Sequence, residues 1–579
     1  SPLVVRGGRY KTMIFYDMEV FREDWLGHFI DIQNRKTYTI VNDSKELSDL
    51  YNENKDRIWV GYNNKHYDQF IFKGILLEID PWEINNWIIN LKQSGWKFSD
   101  AFWEIPMINY DLFSGFHGLK QLEAFMGHDI RETTVDFTID RKLTDKELEE
   151  VINYCKYDVE QTIEVFMRRQ NDFNTTLDLV KEFNLPFHFM DRTNAQLSAE
   201  VLRAVPQTRR DEFDLNFPKE LEVDKYKRIV RWYQNPINMD YTKKLETHVF
   251  GVPHIFAWGG LHGARDNYIK EGKFVLVDVS SYYPSLMIEY DYISRNVLEP
   301  KLFEEIYNER FRLRAKGDTK QEAYKLVLNT TYGCMGYKYN KLYDPLMRNN
   351  VCVTGQLFLL DLIEKFEQIR GIELVQSNTD GILLRYSTES QLEQIKQASE
   401  EWSKRTRMNL DYDYFYKIIQ KDVNNYMAIG EDKSEFVGGY VKDLDDLYYD
   451  LPVINKAIRE YFINGVNPRD YIYKEDRLIE FQKIVTVSRL YDYAIHNNQR
   501  LPEKTLRVFA SNDFRDGTAL KYRTVDGRPQ YAKFANTPEK AFIDNGYIKD
   551  KKAPVKLDKE WYIELSENRI NQFYGRDVL

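Results

Sequence analysis

The chain of 579 residues contains few cysteines, few histidines and no long apolar run. Its 3 cysteines, Cys155, Cys334 and Cys352, lack CxxC spacing, and its 9 histidines form no HExxH motif or His/Cys cluster. These absences exclude a disulfide framework, argue against a zinc module and favour a reducing, cytoplasmic location. Because no apolar run reaches the ~18–20 residues of a membrane-spanning helix, we expect no membrane partner.

The N-terminal residues and the overall composition exclude further classes. The segment SPLVVRGGRYK has no long apolar stretch, so we expect no signal peptide there. With 43% apolar and 30% charged residues, the chain is neither disordered nor collagen-like. Its net charge of −10 argues weakly against a simple nucleic-acid binder, although basic faces or bound metal ions can offset an acidic body.

The spacing of apolar residues predicts a multidomain α/β protein. At ~150 residues per domain, the length corresponds to three or four domains. The first ~190 residues alternate short strands with helical stretches, which favours a layered α/β unit. Further along, FVLVDV predicts a strand, GIELVQSNTDGILLRY a β-hairpin, and residues 301–332 a helical hairpin. We expect Gly317 and Asp318 to break this hairpin, and Thr319 and Glu322 to form a capping box.

A pair of carboxylates lies in the first predicted strand. Asp17 and Glu19 are at positions i and i+2, so they point to the same face. Their charges repel each other unless a cation or a proton intervenes. Two such carboxylates alone more often lie on a solvated face of a strand than in a metal-binding site.

Two further segments of the N-terminal third extend this carboxylate set. Asp68 follows the apolar segment IWV, with Asn64 four residues before it, and Tyr154 and Asp158 share one helix face at i and i+4. Together with the strand pair, they give a set of four carboxylates. Such a set suits two divalent ions ~3.5–4 Å apart, which generate hydroxide at a phosphate. Tyr154 would orient the attacking water.

A second carboxylate set lies in the C-terminal half. Asp278 ends the strand FVLVDV, and Asp380 lies 102 residues later at the bend of the predicted β-hairpin. A strand end exposes a carboxylate and the next carbonyl, which are oxygen ligands suited to Mg²⁺. A lone Asp at a bend usually forms the turn, but the second carboxylate favours a site.

The predicted helical hairpin between these carboxylates is polar and cationic. Lys325, Asn329 and Tyr332 follow one helix face at i, i+4 and i+7, where a core stripe would be apolar. Arg310 and Arg314 repeat the i, i+4 spacing on the preceding helix, and two adjacent cations favour an anionic partner. The alternative is that both arginines are solvated beside neighbouring glutamates.

Taken in order, these segments resemble family B DNA polymerases. DxE from Asp17, N-x₃-D from Asn64 and Y-x₃-D from Tyr154 are similar to the three motifs of DEDDy 3′→5′ exonucleases. DVSSYYPS, KLVLNTTYG and SNTDG resemble polymerase motifs A, B and C. The resemblance covers about residues 14–440, and six motifs in order make it specific.

The resemblance implies an RNase H-like (DEDDy) exonuclease domain and a right-hand polymerase domain with palm, fingers and thumb. The expected boundaries are 1–190 for the exonuclease domain, 191–270 for a linking, template-binding region, 271–300 for the palm with motif A, 301–344 for the fingers with motif B, 345–440 for the palm with motif C and 441–579 for the thumb.

The resemblance also implies a role for each motif residue, with two Mg²⁺ ions per active site and Mn²⁺ as a substitute. The implied polymerase metal ligands are Asp278, the Val279 carbonyl and Asp380. The implied exonuclease residues are Asp17, Glu19, Asp68, Asp158 and Tyr154. The implied nucleotide contacts are Arg310, Arg314 and Lys325 with the triphosphate, Asn329 and Tyr332 with the nascent base pair, Tyr283 under the deoxyribose, and Ser281. The implied DNA contacts are Gly259, Gly260, Lys421, Tyr426 and Asn64.

Several positions depart from the family pattern. Asn378 stands where motif C usually begins with Asp, and Gly381 replaces the usual Ser. Because Asn keeps an oxygen but removes a charge, we expect an active polymerase with altered metal affinity. Asn424 occupies the Lys position of the primer-binding motif KxY, whose Tyr is Tyr426, and Lys421 would compensate. The YxGG motif of protein-primed phage polymerases reads AWGG here, which keeps the glycines that a close backbone approach requires.

The motif spacing predicts a compact enzyme. Asp278 and Lys325 are 47 residues apart, as are Gly333 and Asp380, which leaves no room for protein-priming insertions. We expect a monomeric enzyme of a phage or mobile element, acting in the host cytoplasm. It would extend a primer on template DNA with dNTPs and edit the single-stranded 3′ end. The alternatives are an exonuclease with an inactive polymerase half and a non-catalytic DNA-binding replication scaffold.

Overall fold

The structure is a computed structural model that describes residues 13–579. The N-terminal third alternates strands and helices, namely β1 (Met13–Val20), β2 (Trp25–Asp31), β3 (Lys36–Val41), α1 (Ser44–Asn54), β4 (Ile58–Gly61), α2 (Asp68–Leu76), α3 (Pro81–Asn85), β5 (Ile108–Asp111), α4 (Leu119–Phe125), α5 (Asp145–Arg168) and α6 (Gln170–Glu182).

The middle of the chain contains long helices and a large antiparallel sheet. Its elements are α7 (Asn194–Val201), α8 (Lys227–Gln234), β6 (Lys244–Val249), β7 (Val252–Ala257), β8 (Gly260–Ala264), β9 (Tyr268–Val279), α9 (Tyr282–Glu289), α10 (Lys301–Ala315), α11 (Gln321–Met335), α12 (Pro345–Phe366), β10 (Glu373–Ser377), β11 (Gly381–Tyr386), α13 (Glu389–Thr406), β12 (Leu410–Asp422), β13 (Asn425–Ile429) and β14 (Ser434–Val437).

The C-terminal part consists mainly of short strands. Its elements are α14 (Pro452–Asn464), α15 (Pro468–Lys474), β15 (Lys483–Thr486), β16 (Tyr493–His496), β17 (Gln499–Leu501), β18 (Thr505–Ala510), β19 (Leu520–Val525), β20 (Arg528–Lys533), β21 (Ala541–Ile543) and α16 (Lys559–Tyr574). Within residues 13–579, no helix is both long and apolar enough to cross a bilayer.

The first sheet has five strands in the order β3-β2-β1-β4-β5. The first three strands are antiparallel, whereas β1, β4 and β5 run parallel. The central strand β1 alternates between buried apolar side chains and the carboxylates of Asp17 and Glu19. Aromatic rings of Tyr16, Trp59 and Phe72 pack on the apolar side of the sheet. This is the RNase H-like arrangement expected from the sequence.

The second sheet has nine strands in the order β14-β13-β12-β9-β11-β10-β8-β7-β6. Strand β9 is the fourth in this order, antiparallel to β12 on one side and to β11 on the other. Its apolar side chains Phe274, Val275, Val277 and Val279 are buried, which fixes the register of the strand. With the helical hairpin α10–α11, the sheet confirms the predicted α/β, multidomain fold class.

Local details of the helical hairpin differ from the prediction. Helix α10 ends near Gly317, as expected, but the predicted capping box of Thr319 and Glu322 is wrong. The Asp318 carboxylate instead accepts the backbone N–H of Lys320 at 3.0 Å. Asp side chains compete well for such exposed backbone donors, and α11 therefore begins at Gln321.

The chain folds into two compact units, each built from separated segments. The first contains the described residues up to Arg192, together with Leu444–Pro452 and Glu475–Tyr562. The second contains Thr193–Asp443, Val453–Lys474 and Ile563–Leu579. The segment predicted as the thumb, 441–579, is thus divided between the two units.

Arg507 explains why a C-terminal segment belongs to the first unit. This side chain on β18 is fully buried, and burial lowers its pKa to about 10, so it stays charged at neutral pH. Its guanidinium donates to five oxygens, namely Gln482 Oε1 at 3.0 Å and the carbonyls of Asp544 at 3.1 Å, Gly546 at 2.7 Å, Ala124 at 3.0 Å and His128 at 2.8 Å. Two of these carbonyls lie at the end of α4 and just beyond it, so the guanidinium joins distant parts of the chain.

We expect Arg507→Met to lower the free energy of unfolding of this unit by ~2–4 kcal/mol, because it leaves several buried carbonyls without donors. Chemical-denaturation midpoints of the full chain would measure the change. Arg528→Met is the control: Arg528 is exposed, so its effect should stay within ~0.5 kcal/mol. Equal midpoints for both variants would contradict the role of Arg507.

Candidate active sites

The first carboxylate set is built around β1. Asp17, Glu19 and the Cys155 thiol from α5 form the one group of three metal-ligand side chains within 4.8 Å of one another in residues 13–579. The Cys155 Sγ lies 3.5 Å from the Asp17 carbonyl oxygen and 3.6 Å from its Oδ2. Burial, followed by the charge of Asp17, raises the pKa of Cys155, which favours a thiol that donates to these oxygens.

Asp68 and Asp158 complete this set. Asp68 begins α2, and its Oδ1 accepts the Met18 N–H, between Asp17 and Glu19, at 3.0 Å. Burial and then Asp68 raise the pKa of Asp17, and burial and then Asp158 raise that of Glu19, each well above its ordinary value. The structure therefore brings all four predicted carboxylates together. Their mutual repulsion and oxygen ligands fit divalent ions such as Mg²⁺ or Mn²⁺.

Lys120 is the cation closest to this set. Its Nζ lies 2.5 Å from Asp158 Oδ1 and 3.1 Å from Oε1 of the buried Glu123, and 4.7 Å from the ring centroid of Tyr154. Burial opposes its charge, but the carboxylates of Asp158 and Glu123 outweigh this and raise the pKa of Lys120. Burial raises the pKa of Tyr154 well above its usual value, which keeps the hydroxyl protonated as a donor. Lys120 therefore holds Asp158 and Tyr154 in place.

Asn64 does not face solvent. Its side chain is fully buried, and its Nδ2 donates to Asn109 Oδ1 at 3.2 Å and to the Tyr16 hydroxyl at 3.4 Å. Asn64 was predicted to contact DNA, but its side chain is not accessible to DNA in this structure. Asp111 organises the same turn, because its carboxylate accepts the backbone N–H of Asn63 at 2.7 Å and of Lys65 at 3.2 Å.

The second carboxylate set lies where β9, β11 and β12 pair. Asp278 is directly opposite Gly381, so Asp380 lies beside it, and the Val279 N–H donates to the Asp380 carbonyl at 2.8 Å. Burial, followed by the charge of Asp380, raises the pKa of Asp278 to about 7. Burial also raises the pKa of Asp380. Oxygen ligands that repel each other in this way fit divalent ions, as at the first set.

Asn378 shapes the bend that presents Asp380. Its Oδ1 accepts the N–H of Gly381 at 2.8 Å and of Asp380 at 3.2 Å, which closes a side-chain turn. A Cβ at Gly381 would lie 3.0 Å from Asp278 Oδ1, so glycine lets the bend approach that carboxylate closely. The side-chain amide of Asn378 therefore stabilises the backbone of this bend by accepting two N–H groups.

Sequence reasoning missed three charged neighbours of Asp278. Asp411 on β12 is directly opposite Asp278 and accepts a hydrogen bond from the Ser280 hydroxyl. Asp413 lies two residues further on the same strand face, and Lys433 Nζ lies 2.8 Å from its carboxylate. The alternation in DYDYFY, which repeats the i, i+2 spacing of Asp17 and Glu19, is the signal that would have indicated the two aspartates.

Some of the residues predicted to contact the nucleotide lie near the turn after Asp278. Arg310 from α10 is buried, its Nη1 lies 3.4 Å from the Ser281 hydroxyl, and its Nε has no partner. Ser281 has a left-handed backbone (φ 48°), which turns β9 sharply into α9. The rings of Tyr283 and Tyr332 pack with centroids 4.4 Å apart. A buried donor without an acceptor suits an anion at this position.

The remaining predicted nucleotide contacts lie on the hairpin surface. Arg314 and Asn329 are exposed, and Lys325 Nζ lies 3.4 Å from Glu322 on the same helix. An exposed pair of this kind contributes ~0–1 kcal/mol, so Lys325 can exchange partners readily. Burial and then the neighbouring Arg314 lower the pKa of Arg310, as expected for two adjacent cations.

The predicted DNA contacts of the second unit lie at two places. Trp258 and Gly259 form the tight turn between β7 and β8, and Gly260 begins β8. A Cβ at Gly260 would lie 3.8 Å from Thr379 Oγ1, next to Asp380. Tyr426 is mostly buried on β13. The Lys421 Nζ lies 2.5 Å from Asp422 in a polar cavity of about 860 Å³ whose wall also includes residues of α16.

Comparisons with known proteins confirm the resemblance to family B DNA polymerases, although no family model matches the chain. In sequence, the DNA polymerase alpha catalytic subunit of Oryza sativa subsp. japonica is 22% identical over 244 residues, 35% of this chain and 15% of that protein. DNA polymerase 1 of Saccharolobus solfataricus is 27% identical over 223 residues, 38% of this chain and 23% of that protein. The chain thus spans less than a quarter of the length of these curated relatives.

A comparison of structures finds the family B DNA polymerase from the hyperthermophilic archaeon Pyrobaculum calidifontis, with a TM-score of 0.42 and 14% identity over 99% of this chain and 78% of that one.

Asp68 gives a test of how strongly the fold disfavours a buried charge in the first carboxylate set. Burial is the largest cause that raises its pKa to about 7, from ~3.9 for an exposed Asp. A raised pKa in the fold means that stability is lost as pH rises from ~4 to ~7 in EDTA. Asp68→Asn keeps the oxygen for the Met18 N–H but removes the charge. Its advantage in unfolding free energy over the wild type should therefore grow, by up to ~4 kcal/mol, across this pH window.

Chemical denaturation at several pH values would measure this difference, with the exposed Asp140→Asn as the control. A difference that does not change with pH would show that the fold does not disfavour the charge of Asp68.

Proposed function

We propose that the chain is a DNA-directed DNA polymerase that extends a primer 3′-OH with dNTPs and edits the product with a 3′→5′ exonuclease. One observation carries the proposal: strand pairing sets Asp278 beside Asp380, and the buried Arg310, whose Nε has no acceptor, reaches Ser281 in the turn after Asp278. Carboxylates that collect metal and cations that collect phosphate are the parts that phosphoryl transfer needs.

The chain's own residues position the reactants. Asp278, Asp380 and the Val279 carbonyl would hold divalent ions at the incoming triphosphate, and Arg310 would donate to its phosphate oxygens. When bound, such ions neutralise phosphate charge and stabilise the attacking and leaving oxygens. The bend closed by Asn378 keeps Asp380 in place throughout, because its oxygen accepts two backbone N–H groups.

Selection of the nucleotide would depend on the packed pair Tyr283 and Tyr332. Tyr283 would stack under the deoxyribose and exclude a 2′-OH, while Asn329 and Tyr332 contact the nascent base pair. The exposed Arg314 and Lys325 would add charge around the triphosphate. Lys421, Tyr426 and the glycine turn of β7 and β8 would contact the primer and the template.

The exonuclease would use the first carboxylate set. Asp17, Glu19, Asp68 and Asp158 would hold divalent ions at the 3′-terminal phosphate, and the Tyr154 hydroxyl would orient the attacking water. Lys120 supports this arrangement, since it fixes Asp158 at 2.5 Å and packs on the Tyr154 ring.

The even 47-residue spacing of the polymerase motifs supports a compact enzyme that begins from a nucleic-acid primer and serves a virus or mobile element. An exonuclease with an inactive polymerase half is the second candidate, and Asn378 in motif C is the observation that favours it.

A labelled primer–template with Mg²⁺, with and without dNTPs, tests the proposal. Asp380→Ala should reduce extension by at least ~10²-fold and leave degradation, because it removes a ligand of one metal site only. Asp17→Ala/Glu19→Ala should have the opposite effect. Glu400→Ala, an exposed helix residue, is the control for expression and folding. If the wild type degrades the primer and neither the wild type nor the exonuclease variant extends it, the result would favour the second candidate.

Asn378 gives a sharper test. Asn378→Ala removes the oxygen that closes the bend, so extension should fall by ~10-fold or more, about the effect of losing two neutral hydrogen bonds of ~0.5–1.5 kcal/mol each. Asn378→Asp keeps that oxygen and adds a charge, so half-maximal extension should need less Mg²⁺ than in the wild type. Rates measured over a Mg²⁺ titration would show both effects. An alanine variant as active as the wild type would contradict the turn role.

A further inference from the structure

A small sheet of the first unit carries three tyrosines in register. Its four strands follow the order β17-β16-β19-β20. Tyr493 is directly opposite Tyr522, which is directly opposite Tyr531. Their ring centroids lie 4.7 Å and 5.3 Å apart. We call this side of the sheet the tyrosine face.

On β16, the opposite side of the sheet belongs to the core. Ala494, between Tyr493 and Ile495, is fully buried and packs with Val508, Ala519 and other apolar residues. Because side chains alternate along a strand, the tyrosine face points away from this core. Tyr531, on the edge strand β20, is 57% exposed.

The tyrosine face carries positive charge and no carboxylate at its strand positions. Arg500 on β17 is exposed, and its guanidinium lies 4.3 Å from the Tyr493 ring centroid. Lys533 lies two residues after Tyr531 on β20, with Glu539 as its ion-pair partner. Hydrogen bonds from Thr138 and then the charge of Arg500 lower the pKa of Asp136, so one carboxylate lies within electrostatic range of Arg500. The guanidinium is exposed and can still donate to a phosphate.

Cross-strand aromatic pairs also stabilise sheets, but that role does not require exposure. Tyr531 on the edge strand β20 and Arg500 on β17 lie at the two ends of the row. Both are exposed, so packing within the sheet does not account for them. Flat rings beside cations bind bases by stacking and phosphates by charge, with little dependence on base sequence. A duplex hides its base faces, so the rings favour an unpaired strand.

We infer that the tyrosine face binds single-stranded DNA, with bases stacked on Tyr531 and Tyr522 and phosphates at Arg500 and Lys533. DNA is the occupant that matches the similarity to DNA polymerases. The choice of DNA rests on the proposed function. Because binding is measured without metal or nucleotide, a failure of this inference and a failure of the proposed activity can be distinguished.

Ultraviolet cross-linking gives a direct test. The full chain in EDTA would be mixed with oligo(dT) carrying 5-iodouracil, which cross-links to aromatic side chains, and the adducts mapped by mass spectrometry. We expect adducts at Tyr531 or Tyr522. Adducts confined to segments outside β16, β17, β19 and β20 would overturn the inference.

Affinity measurements give the second test. Tyr531→Ala should raise the Kd for oligo(dT) about fivefold or more, the effect of one lost stack, whereas Tyr531→Phe keeps the ring and should change it less than about twofold. Arg500→Ala should weaken binding and reduce its salt dependence. Gln530→Ala, a neighbouring exposed residue on the other side of the sheet, is the control.

Three results would overturn the inference. One is an unchanged Kd for Tyr531→Ala and Arg500→Ala in proteins whose thermal midpoints match the wild type. Another is an equal loss of affinity for duplex DNA, which would indicate phosphate contacts without stacking. The third is tighter binding of oligo(U) than of oligo(dT), which would make RNA the occupant.

Discussion

Strand pairing holds carboxylates closer together than their charges favour. In the second unit, β9 pairs with β11 and β12, and this register places Asp278 opposite Gly381 on one side and Asp411 on the other. Burial, and after it the charge of Asp380, raises the pKa of Asp278, so the backbone hydrogen bonds hold this carboxylate where its charge is disfavoured. The buried valines of β9 supply the energy that fixes the register.

The first unit uses the same device with a different topology. There the central strand β1 carries Asp17 and Glu19, and the helices α2 and α5 bring the other two carboxylates to it. Both sites thus begin from a rigid central strand. A loop would relax away from such repulsion, whereas a strand paired on both sides cannot.

The sequence predicted those parts of each site that depend on local periodicity. The strand with Asp17, the helix with Tyr154 and the hairpin with Asp380 all appear as expected, because spacings of two and of three to four residues are visible in a short window. The pairing of Asp278 with Asp411 joins residues 133 positions apart, and no local pattern encodes it. The burial of Asn64 was also not predictable, since its partners come from other strands.

The division of the chain into units has a consequence for its synthesis. The segments of the first unit include residues near both ends, and Arg507 reaches carbonyls near residue 124 that are made almost four hundred residues earlier. The N-terminal sheet is therefore synthesised long before Arg507, whose guanidinium binds the carbonyls near residue 124. Contacts of such long range slow folding and expose unfinished surfaces. A fragment ending at Arg192 would lack these partners permanently, so the N-terminal unit is not an excisable module.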